Sequence, residues 1–185
     1  MVFAHDTEIA LRTAAALVNT AVGMRGDDAL DTLSTVEELR GFYETWDWTG
    51  RFDGDAAELK QARALRPRLR ALWQVADDPG AVADQVNELL RTGHALPQIV
   101  EHGDYGWHIH ATDGDAPFAQ RMQVEAAMAV VDVIRAGQLD RLRICAADDC
   151  DDVLADLSRN RSKRYCDRGC GNRLAAAAYR SRRAD

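Results

Sequence analysis

Apolar residues recur at helical spacing through much of the first 140 positions of the chain. From Asp6, which we expect to cap the first helix, they repeat every three or four residues up to Val22. Ser34 opens a sequence typical of a capping box, so a second helix is predicted there. The same periodicity covers residues 55–76 and 78–93. Four helices are therefore predicted before residue 94.

The pattern changes after residue 93. Residues 96–101 and 105–111 are short segments, and the second alternates apolar and polar positions, which predicts a β-hairpin around Gly103. A long helix is predicted over residues 116–136. We therefore expect an α+β fold that is mainly α, with a helical N-terminal domain and a small β-hairpin.

Charge divides the chain into two parts. The 185 residues are 46% hydrophobic and 29% charged, which is typical of a folded globular protein, and the net charge of −7 is not typical of a nucleic-acid binder. Residues 1–140 carry a net charge of −11, whereas residues 141–185 carry +4. We therefore predict an acidic N-terminal domain over 1–140 and a basic C-terminal module over 141–185.

The sequence lacks the marks of a membrane or secreted protein. No run of about eighteen apolar residues occurs, and the first twenty residues contain acids where a secretory signal would contain bases. We therefore expect a cytoplasmic protein without a membrane partner.

All four cysteines of the chain lie in the basic module, at Cys145, Cys150, Cys166 and Cys170. Two close pairs joined by a short segment supply four soft ligands for a tetrahedral zinc ion, and a reducing compartment favours metal over disulfides. The first pair follows a strand-like segment and the second opens a helical one, which predicts a treble-clef-like module with one structural Zn2+. The module has 18 charged residues and too little apolar surface to fold alone, so buried free thiols are the less favoured alternative.

At these residues the chain resembles a known family. Residues 141–183 resemble the CGNR zinc finger, named for the tetrapeptide at 170–173, and the family's DLSRNR motif stands at 156–161. The acidic part resembles the partner domain called ABATE through LVNT at 17–20. The resemblance implies a zinc-binding and DNA-binding protein of the stress-induced transcription regulator type. The family usually leaves four residues between the second pair of cysteines, whereas this chain leaves three, which still suffices for a chelating pair.

Nine bases follow residue 157, against two acids, and guanidinium groups on a rigid scaffold suit phosphate oxygens. The predicted DNA-contacting residues are Arg159, Arg161, Lys163, Arg164, Arg168, Arg173, Arg180 and Arg183. The alternative is a solvated charged face that offsets nearby acids and the negative charge of a four-thiolate zinc site. On that alternative the module is a zinc-stabilised protein-interaction module that does not bind DNA directly.

If the protein were an enzyme, its histidines would be the best candidates for an active site. His108 and His110 would lie on one strand face, and a hydrolytic metal site would need further ligands. The candidates for those ligands are His102, Asp104, Asp113 and Asp115. Such alternation is common on half-exposed hairpins, so we predict that the protein is not an enzyme. The tryptophans at 46, 48, 73 and 107 are expected in the core rather than around a ligand.

The favoured interpretation is a transcription regulator whose zinc finger contacts DNA and whose N-terminal domain regulates or scaffolds it. A homodimer and a small-molecule ligand of the N-terminal domain are left open by the sequence.

Overall fold

The chain folds into helices and two small hairpins, as shown by a computed structural model that describes residues 2–23, 30–101 and 106–184. The helices are α1 (His5–Val18), α2 (Val36–Thr45), α3 (Ala56–Gln74), α4 (Pro79–Thr92), α5 (Phe118–Arg135) and α6 (Cys170–Ala184). The strands are β1 (Gln98–Glu101), β2 (Trp107–His110), β3 (Leu142–Ile144) and β4 (Val153–Ala155). β1 pairs with β2 and β3 with β4, both antiparallel, so the predicted mainly helical α+β class is confirmed. The predicted turn at Gly103 lies outside the described residues. Within the described ranges, no helix is long and apolar enough to cross a membrane.

Two helix starts differ from the prediction. α1 is capped at Ala4 rather than Asp6, without a side-chain hydrogen bond, and it ends at Val18. The capping box of α2 uses Thr35 and Glu38, one residue later than predicted, and the Glu38 amide donates to Thr35 Oγ1 at 3.1 Å. This start turns Leu39 into the core, where it is fully buried, which gives the physical reason for the shift.

α5 is the central helix of the acidic part, and α1, α3 and α4 pack against it. Its buried side chains include four alanines, at 119, 126, 127 and 129, which allow neighbouring helices to approach closely. Gln123 is buried on α5 and donates to the Leu89 carbonyl at 2.7 Å, which satisfies a polar group inside the core. The amphipathic helices thus bury their apolar stripes around one hub.

An aromatic cluster holds the segment between α2 and α3 against the start of α5. Phe118 is fully buried, and the rings of Tyr43, Trp48 and Phe52 surround it with centroids 5.2, 5.1 and 5.9 Å away. The buried Arg121 guanidinium donates to backbone carbonyls of this segment, at residues 49 and 51. These contacts fix the segment at one end of the helical layer.

The tryptophans do not share one environment. Trp73 is 3% exposed and donates its indole N–H to the Leu154 carbonyl at 2.9 Å, as a core tryptophan should. Trp107 is 71% exposed, so the expectation that all four lie in the core is wrong at this position. It lies on β2 of a two-stranded sheet, where its exposure shows that no other described segment of the chain covers it.

Strand β4 lies between the helical core and the cysteines. Side chains alternate across a strand, and Val153 and Ala155 join the helical core while Leu154 packs with the cysteines. Leu142 of β3 also belongs to the helical core. The basic module therefore shares its hydrophobic packing with the acidic part, and the division predicted at residue 140 stays a prediction.

Asn19, just after α1, joins the two parts of the chain. Its side-chain amide donates to the Val153 carbonyl and its side-chain oxygen accepts from the Val153 amide, both at 2.8 Å. The amide group thus satisfies both backbone polar groups of Val153 on the side of β4 that faces away from β3.

Replacing Asn19 with Ala should lower the free energy of unfolding by about 2–3 kcal/mol, because two hydrogen bonds are lost and both backbone groups of Val153 lose their partners. Urea denaturation measures this change. Asn87→Ala, an exposed position on α4, is the control and should cost nothing. Equal stabilities of the two variants would refute the role given to Asn19.

Candidate metal centre and basic surface

The four cysteine side chains converge on one point. All are buried, and their sulfur atoms lie within 4.8 Å of one another. The Sγ atom of Cys166 is 3.8 Å from that of Cys150 and 3.6 Å from that of Cys170. A disulfide would bring two sulfurs to about 2.05 Å, so these distances describe separate thiols. Among the described residues this is the one group of potential ligands close enough to hold a metal ion.

Local backbone geometry brings the two pairs together. After β3 the chain turns, and the Cys145 amide donates to the Asp152 carbonyl at 2.8 Å while the Cys166 amide donates to the Cys145 sulfur at 3.4 Å. Gly169 has a φ of +89°, a conformation that a side chain disfavours, and it lies just before Cys170 at the start of α6. This turn lets the second pair face the same point although only three residues separate them.

The thiols differ in their electrostatic surroundings. Burial, followed by a hydrogen bond with Asp152, raises the pKa of the Cys166 thiol above its ordinary value. Burial acts the same way on Cys170, but hydrogen bonds from Arg173 and from the neighbouring thiols outweigh it and lower the pKa of Cys170 to about 7. Arg173 Nη2 lies 3.8 Å from the Cys170 sulfur, so a positive charge accompanies the cluster.

The cluster fits one structural zinc ion. A tetrahedral site with zinc–sulfur bonds of about 2.3 Å places its sulfurs about 3.8 Å apart, close to the separations found here. Four sulfurs complete the coordination without water, which is the composition of a structural rather than a catalytic site.

Asp156 organises the loop that follows β4, a role that the sequence analysis missed. Its fully buried carboxylate accepts from the amide and hydroxyl of Ser158 at 3.0 and 2.6 Å, and from the Lys163 amide at 3.1 Å. Arg143 lies 3.0 Å away as an ion-pair partner. Burial opposes ionisation, but the bonds from Ser158 and the charge of Arg143 lower the pKa of Asp156. The spacing of Asp156 and Ser158 in the DLSRNR motif is the sequence signal for such a turn.

Four of the eight predicted DNA-contacting residues form ion pairs within the protein. Arg161 lies 2.9 Å from Asp140, and Arg173 lies 2.6 Å from Asp149. Lys163 pairs with its neighbour four residues on at 2.9 Å. Arg168 lies 3.6 Å from the Asp152 carboxylate and donates to the Asn19 carbonyl at 2.9 Å, which ties the module to the end of α1.

The other four predicted contacts face solvent. Arg159 and Arg164 are exposed in the loop, and Arg180 and Arg183 are exposed on α6. Among the described residues these four have no carboxylate within ion-pair distance. The eight predicted bases therefore form two groups, four in ion pairs within the protein and four facing solvent. Their contacts with DNA remain predictions.

Among the described residues, the two histidines of β2 do not assemble the hydrolytic site of the enzyme alternative. His108 and His110 face each other, with their Nε2 atoms 3.1 Å apart, and His108 Nδ1 lies 2.8 Å from the Gly106 carbonyl. Within the described ranges, Asp113 and Asp115 do not join them in a group able to hold a metal. His102 and Asp104 lie outside the described residues.

Comparison with known proteins gives two matches. The family model described as "ABATE: Putative stress-induced transcription regulator" matches residues 11–137, and the CGNR zinc finger model matches residues 141–183. These families are of the regulator and zinc-finger types, not known enzymes. No curated protein matches the chain significantly. Since the first match covers more than half of the chain, the protein belongs to the ABATE family and carries a C-terminal CGNR zinc finger.

Proposed function

We propose that the protein is a zinc-dependent, DNA-binding transcription regulator of the cytoplasm, in which the zinc finger contacts DNA and the N-terminal domain regulates or scaffolds it. The observation that carries this proposal is the exposure of α6. From residue 175 to residue 183 every side chain of this helix is exposed. A helix anchored at one end and bare along the rest has the form of an element that enters a groove of DNA.

The outer face of α6 has the composition that DNA contact requires. At 3.6 residues per turn, Arg173, Ala176, Arg180 and Arg183 share one side of the helix, and Arg173, at its start, also lies 3.8 Å from the Cys170 sulfur. Small alanine side chains allow the helix backbone to approach DNA closely. Guanidinium groups can donate paired hydrogen bonds to phosphates or to guanine edges in the major groove.

The loop before α6 supplies a second set of bases. Arg159 follows the turn that Asp156 and Ser158 build, and Arg164 precedes the second cysteine pair. Both are exposed, and contacts from such a loop to the DNA backbone would orient α6.

Zinc has a structural role in this proposal. Cys145, Cys150, Cys166 and Cys170 each supply one thiolate to a closed tetrahedral site. Because Cys170 is the first residue of α6, the bound ion fixes the root of the exposed helix. Metal binding then supplies the folding energy that the highly charged segment lacks.

Purified protein should contain one zinc ion per chain, and Cys166→Ser should lose it. Without the ion, amide hydrogen exchange across residues 145–170 should accelerate by about tenfold or more, while α3, α4 and α5 remain protected. Metal analysis and exchange mass spectrometry measure these effects. Ala146→Ser, next to a ligand but exposed, is the control and should keep its zinc. Full zinc content in Cys166→Ser would falsify the assignment.

Binding of the full chain to a labelled DNA duplex should weaken steeply with salt. If about four bases contact phosphates, the slope of log K against log salt should be about −3.6, and Arg180→Ala with Arg183→Ala should reduce it to about −1.8 without loss of zinc. Fluorescence anisotropy at several salt concentrations gives both slopes.

The control is Lys60→Ala with Arg91→Ala, which removes the same charge from exposed positions on α3 and α4. Equal effects of the two double variants would mean that net charge rather than α6 drives binding. No affinity for any duplex at low salt would exclude direct DNA binding and favour the protein-interaction alternative. If the chain does bind DNA, selection from a randomised duplex pool identifies the sequence that it prefers.

A further inference from the structure

A cavity of about 530 Å³ lies in the acidic part, away from the cysteines. It opens between α1, α5, β2 and the segment after α2, so four parts of the chain that are distant in sequence contribute to its walls. Pockets of about 300–1,000 Å³ are typical of small-molecule sites. The cavity therefore has the size of a binding site for a small organic molecule.

The walls of the cavity are largely apolar and aromatic. Ile9, Trp46, Trp48, Ile109 and Met128 line it. Trp48 packs against the ring of Phe118, 5.1 Å away, and the Arg121 guanidinium lies over its ring at 5.7 Å, so contacts within the protein position this part of the wall. Two indoles beside a methionine suit an apolar body and can also face a positive charge.

The charged groups of the cavity are carboxylates. Asp6, Asp47, Glu125 and Asp132 line it, and its described lining includes no lysine or arginine. Asp132 accepts from the Thr7 hydroxyl at 2.7 Å, which fixes that carboxylate in place. The Glu125 carboxylate has no hydrogen-bond partner among the described residues. Protein atoms surround it, but it is exposed to solvent through the cavity.

The histidines at the cavity wall can offset at most one of these charges. His108 and His110 lie with their Nε2 atoms 3.1 Å apart, a distance at which one hydrogen must bridge two nitrogens and at least one ring is neutral. The cavity therefore combines an excess of negative groups with aromatic walls.

We propose that this cavity binds an organic cation, an amine or quaternary ammonium group carried on an apolar body. The cationic head lies against Glu125 and Asp132, and the apolar body lies against the tryptophans and Met128. A carboxylate supplies the charge, and the indole faces add cation–π attraction. This site is independent of DNA binding, and it stands or falls separately from the proposed function.

The electrostatics of Glu125 agree with this ligand class. Desolvation raises the pKa of Glu125 to about 7, the charge of Asp6 adds to the rise, and Arg121 opposes it. Because ionising Glu125 without a nearby positive charge is unfavourable, a cation bound beside it stabilises the ionised carboxylate strongly. Groups that shift in this way and have no structural partner are typical of binding sites.

Titration calorimetry with octyltrimethylammonium, kept below its micellar concentration, tests the proposal. Octanol and octanoate have chains of the same length with neutral and negative heads. The cation should bind more tightly than both by about tenfold or more, and the indole N–H signals of Trp46 and Trp48 should shift in NMR spectra while that of Trp73 stays in place.

Two variants locate the site. Glu125→Gln keeps the shape of the side chain and should weaken the cation about tenfold while leaving octanol binding unchanged. Met128→Trp should fill the cavity and weaken all three probes. Glu88→Gln, exposed on α4 and paired with Arg91, is the control and should change nothing. A cation that binds no better than octanol, or equally well to Glu125→Gln, would overturn the proposal.

The pH dependence of the stability of the folded chain should reflect the ionisation of Glu125. Because the pKa of Glu125 rises from 4.5 to about 7 on folding, ionisation there destabilises the fold as pH increases through that window. Glu125→Gln should therefore raise the melting temperature relative to the unsubstituted protein increasingly from about pH 4.5 to about pH 7.

Other charged and titratable groups surround Glu125 in both proteins, so the difference between the two proteins is the quantity to compare. They are Asp6, Asp47, His108, His110, Arg121 and Asp132. Glu88→Gln should show a constant difference across the same range. A constant difference for Glu125→Gln as well would contradict the raised pKa of Glu125.

Discussion

The alternation of side chains along β4 is the constraint on which both parts of the protein depend. The three residues of β4 are all buried and alternate in direction. Val153 and Ala155 pack into the helical core, and Leu154 packs against the cysteine cluster on the other face. Hydrogen bonds from Asn19 and Trp73 to the strand backbone keep it in register. Loss of zinc is therefore expected to lower the stability of the helical part without unfolding it, because the two parts share the residues of β4 rather than a linker.

Charge is divided between structure and surface in the basic module. Buried and half-buried acids take up part of the positive charge: Asp156 binds Arg143, and Asp152 lies beside Arg168. These pairs shape the turns around the cysteines, and their guanidinium groups are already engaged. Among the described residues, the bases left for a partner are those with no carboxylate within ion-pair distance, namely Arg159, Arg164, Arg180 and Arg183. The number of basic residues in a segment is therefore larger than the number available to contact a partner.

Much of the fold was predictable because it rests on local patterns. The helical periodicity and the cysteine spacing predicted α3, α4, α5 and the metal cluster, since each depends on neighbours within a few turns of chain. The capping residue of α2 was missed by one position because the burial of Leu39 decided it. The pairing of Asn19 with Val153, and the cavity around Glu125, join residues more than a hundred positions apart or several segments at once, and no spacing rule encodes them.

The cavity and the metal cluster are built from different residues, and their connection is thermodynamic. α5 lines the cavity with Glu125 and Asp132, and the chain after it leads to the buried Arg141, which donates to the Asp156 and Ser158 carbonyls at 2.7 and 3.0 Å. A ligand that binds only the folded chain stabilises every part that unfolds with it. Since β4 belongs to both cores, a cation in the cavity would stabilise the seat of the zinc finger without any movement of α6. On the function proposed above, the N-terminal domain would regulate the finger by setting how much of it is folded.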